Sequence, residues 1–71
     1  MNEERAQKVL DRLTGQEIEC LRSLLRHGST EVRDLKGGES SLKSLEVHKL
    51  VVRMGSFVNL THRGKLVARC A

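Results

Sequence analysis

The ten residues VVRMGSFVNL, 51–60, constrain the fold of this chain more than any other stretch. Two runs of strand-forming residues flank Gly55-Ser56, and a glycine that accepts positive φ suits the two-residue type II′ connection of a tight hairpin. That turn sets the pairing: Met54 opposite Phe57, Arg53 opposite Val58, Val52 opposite Asn59 and Val51 opposite Leu60. Side chains alternate along a strand, so one face carries Val51, Val58 and Leu60 and the other Val52, Met54, Phe57 and Asn59. A lone two-stranded hairpin is marginal in water and must lean on other elements.

Those elements read as helices. Ala6, Val9, Leu10 and Leu13 fall at helical spacing behind Asn2, Glu3 and Glu4, which predicts a helix over 3–12 with a cap and early negative charge at its start. In TGQE, Thr14 as N-cap and Glu17 three residues on form a capping box that opens a second helix, 15–27. Ile18, Leu21, Leu24 and Leu25 make its apolar stripe, and Gly28 suits the left-handed position past its end. TEVRDLKGG, with Val32 and Leu35 three apart, predicts a short third helix ended by Gly37-Gly38. A fourth, 40–49, is expected to start from Ser40 or Ser41 as cap and to bury Leu42, Leu45 and Leu50. After the hairpin, Thr61 caps a last short helix containing Leu66 and Val67.

At 71 residues the chain is a single domain near the lower limit for a fold held by one apolar core, and Phe57 is its only aromatic residue. The core must be built from Leu and Val, and dimerisation would help it. The formal charge of +4 fits a polyanionic partner. No apolar run approaches membrane-spanning length, and MNEERAQKVLDRL is charged throughout, unlike a secretory signal. The expectation is a soluble cytoplasmic chain.

The residues that do chemistry elsewhere are scattered here. Cys20 and Cys70 show no ligand spacing and read as a buried small hydrophobe and an exposed free thiol. His27, His48 and His62 sit on three different elements, so no metal site is indicated. The carboxylates show no paired geometry on one face, and GGES at 37–40 is too short and wrongly placed for a phosphate loop. No catalytic residue, cofactor or small-molecule ligand is expected, and the chain does not read as an enzyme.

The expected order is helix, helix, short helix, helix, hairpin, helix: a mainly α fold with a small β-hairpin. Two consecutive helices joined by a glycine-containing turn, followed by a hairpin, match a winged helix-turn-helix. LTGQEIECLRSLL resembles the first helix of winged-helix repressors of the MarR-like kind. SLEVHKLVVRMGSFVNLTHRGKLVA is similar to their recognition-helix end, wing and "LT..G..LA" exit, so the resemblance covers residues 13–68. Two departures stand out. Lys49 occupies the position where such families place a glycine to leave the helix in a left-handed conformation, and Gly55-Ser56 leaves no long basic wing loop.

The resemblance implies a transcriptional regulator that binds double-stranded DNA with helix 40–49 in the major groove. On that basis Ser40, Ser41, Lys43 and Ser44, with Val47, face the groove, while Arg33, Lys36 and Arg53 contact phosphates. A homodimer would use Val9, Leu10 and Leu13 or the terminal helix to set half-site spacing. The plainer readings are that the serines are helix caps and the cations solvated charges, with Glu39 and Glu46 weakening attraction to phosphate. A second function fits the same fold: a winged-helix module that binds a protein partner, favoured if Val52, Met54 and Phe57 prove exposed.

Overall fold

A computed structural model describes residues 3–35 and 37–71. Four helices carry a small three-stranded antiparallel sheet. The helices are α1 (Glu3–Asp11), α2 (Gly15–His27), α3 (Gly38–Val47) and α4 (His62–Cys70), and the strands are β1 (Thr30–Glu31), β2 (Val51–Met54) and β3 (Phe57–Leu60). A 3₁₀ turn, Val32–Asp34, lies between β1 and α3.

The hairpin has the register that its turn dictates, from Met54 opposite Phe57 to Val51 opposite Leu60. Its inner face is buried through Val51, Val58 and Leu60, while Val52, Met54 and Phe57 remain 43%, 58% and 44% exposed. The core below it is aliphatic: Leu21 and Leu24 of α2, Leu42 and Leu45 of α3, then Leu50, Val58 and Val67, all almost fully buried. α1 closes the far side by packing on α4 through Ala6 and Leu10, with Leu13 just beyond its end.

Several sequence expectations need correction. Residues 30–35 do not form an α-helix. The first two pair with Val58 and Phe57, making β3 the central strand in the order β1-β3-β2. Val32 N–H continues that edge to Ser56 O at 2.9 Å. A strand edge with unpaired N–H and C=O groups competes effectively for so short a segment. The Val32 and Leu35 spacing survives only as one 3₁₀ turn, closed by Leu35 N–H to Val32 O at 3.2 Å.

α3 starts at Gly38, not Ser40, and neither serine caps it; Gly37 holds that position at φ 89° with no side-chain cap bond. A Cβ on Gly37 would stand 2.6 Å from Ser41 Oγ, so the bare glycine packs over Ser41, which is buried one turn inside the helix. On α2 the buried stripe takes Cys20 in place of Leu25, which is 40% exposed. Burial pushes the Cys20 thiol above its ordinary pKa. Cys70 is partly buried against the core rather than exposed.

The end of α3 sets the path of the chain into the hairpin and α4. Leu50 N–H bonds Leu45 O at 3.0 Å and Lys49 N–H bonds Glu46 O at 2.9 Å, the paired bonds of a Schellman ending. Such an ending needs a left-handed residue after the cap, and Lys49 supplies it at φ 61° although it carries a Cβ. Leu45 and Leu50, the two residues linked by the longer bond, are both fully buried.

The exit LTHRGKLVA can then be explained residue by residue. Leu60 fills the core, and Thr61 Oγ1 accepts Gly64 N–H at 3.0 Å while donating to Lys49 O at 2.8 Å. Thr61 N–H also bonds Leu50 O at 3.0 Å. Gly64 lies so close to this junction that a Cβ would fall 1.9 Å from Leu50 O. The start of α4 is thereby fastened to the end of α3.

Candidate nucleic-acid interface

α3 buries Ser41, Leu42 and Leu45 and turns the rest of its circumference outward. Ser40, Lys43 and Val47 are exposed and follow i, i+3, i+7 spacing, which lines them up along one face. Val47 is 79% exposed, an aliphatic side chain with no role in the core. These three line the outer face of α3, with the exposed Glu39 at its N-terminal end.

The remaining site residues expected from sequence are placed otherwise. Ser41 is buried and does not reach the outer face. Ser44 is half-buried, and its hydroxyl donates to Glu17 Oε2 at 3.1 Å, tying α3 to α2. The start of α2 keeps one half of the expected capping box, the Thr14 cap, and turns Glu17 to the same link. Thr14 Oγ1 accepts Glu17 N–H, and the Glu17 carboxylate receives both the Thr14 and the Ser44 hydroxyls. Arg33 is clamped by Glu31 at 2.6 Å. Lys36 lies outside the described residues.

Arg53 follows from the hairpin's alternation. It shares the inner face with Val51, but near the tip, where the sheet overhangs α3 rather than the core. Its Nη2 reaches Glu39 Oε2 at 3.0 Å and Glu46 Oε1 at 3.2 Å. The hydrogen bond to Glu39, aided by the charge of both carboxylates, raises the guanidinium above its ordinary pKa. Arg53 thus braces the hairpin against α3, and two acids offset the positive charge it would offer a phosphate.

The N-terminal end of α3 borders a cleft of about 640 Å³ whose lining includes Glu31, Arg33, Glu39, Val32 and Leu35. Two carboxylates face one guanidinium there, so the cleft is no anion cradle. At the other end of α3 the charge is reversed. Arg5, Lys8 and Arg12 of the α1 segment, His48 and Arg63 line a groove of about 260 Å³ that includes no carboxylate. Sequence reasoning missed this groove. The i, i+3, i+7 spacing of Arg5, Lys8 and Arg12 was visible, but tertiary packing brings His48 and Arg63 to it.

The dimer surface expected on α1 is also revised, since Leu10 and Leu13 are buried within the protomer. Among the described residues no helix is long and apolar enough to cross a membrane. Scans against family models, curated proteins and solved structures find no match for the chain.

Proposed function

We propose that this chain is a small winged-helix DNA-binding protein, a cytoplasmic transcriptional regulator that sets α3 in the major groove of duplex DNA. The observation that carries the reading is the outer stripe of α3. Ser40, Lys43 and Val47 are exposed on a helix whose other side is anchored to α2 and to the hairpin. Support comes from the succession α2, β1, 3₁₀ turn, α3, β2, β3 with sheet order β1-β3-β2. A rigid helix presenting a hydroxyl, an ammonium and an aliphatic tip has the donors and the methyl contact that base edges require. The left-handed Lys49 occupies the helix exit where the MarR-like pattern has glycine.

The test is discrimination. Lys43→Ala should reduce the preference for a selected site over random duplex by about tenfold, the scale of one lost base contact. Ser40→Ala should reduce it less. Unchanged preference in both variants removes α3 from the interface.

A second reading rests on the outer face of the hairpin. Val52, Met54 and Phe57 form an exposed apolar face on neighbouring strands, and such a patch suits a protein partner better than a phosphate backbone. Absence of duplex binding by the wild type at low salt would favour this reading.

A further inference from the structure

We propose that the groove between α1 and the start of α4 is a second contact for the phosphate backbone of DNA, separate from the outer stripe of α3. It rests on the DNA-binding reading for the identity of the polyanion; the groove itself is a separate observation.

Arg5, Lys8, Arg12 and Arg63 all stand at exposed positions around one depression that the half-buried His48 also lines. Among the described residues, Lys8, Arg12 and Arg63 take part in no ion pair, whereas Arg22, Arg33 and Arg53 do. No acid of α1 lines the groove, and Asp11 accepts a hydrogen bond from Gln7 at 3.1 Å.

The arrangement is unfavourable for the free protein in two ways. Lys8 and Arg12, like charges four residues apart at the end of α1, repel one another. Arg63 stands in the first turn of α4, where no acid is present and the helix dipole disfavours a cation. An anion in the groove relieves both at once. Guanidinium groups predominate, and they recognise phosphate through paired N–H donors, which suits a phosphodiester better than a diffuse acidic surface.

The experiment uses the full chain and a fluorescent duplex of random sequence, titrated over a range of salt. The variant is the triple substitution Lys8→Gln, Arg12→Gln and Arg63→Gln. All three side chains are exposed, so the fold should survive, as circular dichroism will verify. Loss of two to three phosphate contacts should lower the slope of log K against log salt by about 2 to 3 and weaken binding at least about tenfold near 0.1 M salt. Preference for a selected site over random duplex should be retained, because α3 is untouched.

Wild-type affinity and slope in the folded triple variant would overturn the proposal while leaving the α3 reading intact. Loss of slope in the triple variant with no effect of Lys43→Ala would uphold the groove and reject α3. No binding by the wild type at low salt would reject both.

Discussion

The two ends of α3 carry opposite electrostatics although each is rich in arginine or lysine. At the N-terminal end Arg33 is held by Glu31 and Arg53 by Glu39, with Arg53 also reaching along the helix to Glu46 in its last turn. At the C-terminal end, Lys8, Arg12 and Arg63 gather around a groove whose lining has no carboxylate. Cations stand at both ends, and the helix-turn-helix pattern directs attention to the first. Pairing decides the field that a partner meets, and pairing is a property of the fold. The same overall charge thus yields a nearly neutral α3 and a positive flank.

The comparison depends on the junction that fastens α4 to the end of α3, and the largest expected effect comes from breaking it. Gly64→Ala would drive a Cβ into the Leu50 carbonyl, a backbone group that is itself bonded to Thr61 N–H. A loss of about 3 kcal/mol or more is expected, enough to unfold much of so small a domain, and a thermal melt will read it. A wild-type melting temperature would mean that α4 does not approach Leu50 so closely.

Thr61→Ala tests the same junction more gently. It removes the N-cap of α4 and the bond to Lys49 O, with an expected cost of about 1 to 2 kcal/mol by denaturant titration. A change within a few tenths of a kcal/mol would show that the cap is dispensable.

Releasing Arg53 should erase the contrast between the ends. Glu39→Gln with Glu46→Gln leaves its guanidinium unpaired and removes two negative charges from the α3 face. Affinity for random duplex should rise about fivefold, or about 1 kcal/mol, with a steeper salt slope. Unaltered binding would place DNA away from that face.

The smallest expected change is a gain. Lys49→Gly relieves a Cβ held at φ 61° and should stabilise the chain by about 0.5 to 1 kcal/mol, net of the added flexibility of the unfolded state. A destabilised variant would mean that the lysine side chain contributes more there than its conformation costs.

What was legible in the sequence was local. The hairpin register follows from a two-residue turn and alternation, and Val51, Val58 and Leu60 are buried as that register requires. Position 49 was marked only by the resemblance, as one that such families give to a left-handed glycine; that Lys49 keeps the left-handed exit is seen in the structure. Distant partners hid the rest. Thr30 and Glu31 became a strand because β3 had a free edge, which the Val32 and Leu35 spacing does not reveal. Ser41 resembles a cap in sequence, but the packing of Gly37 over it puts it inside the helix. Of the α3 residues that the resemblance assigned to a groove, Ser40 and Lys43 are exposed, whereas the pairing of Arg33 and Arg53 and the assembly of the basic groove required the tertiary structure.

The central claim is that this fold meets duplex DNA, and its most direct test is binding of the purified chain to a random duplex pool at two salt concentrations. Salt-sensitive binding and enrichment of a defined sequence are expected, the first from the unpaired cations and the second from the stripe of Ser40, Lys43 and Val47. No binding at low salt, where even non-specific phosphate contacts persist, would contradict the claim and turn attention to the exposed hairpin face of Val52, Met54 and Phe57.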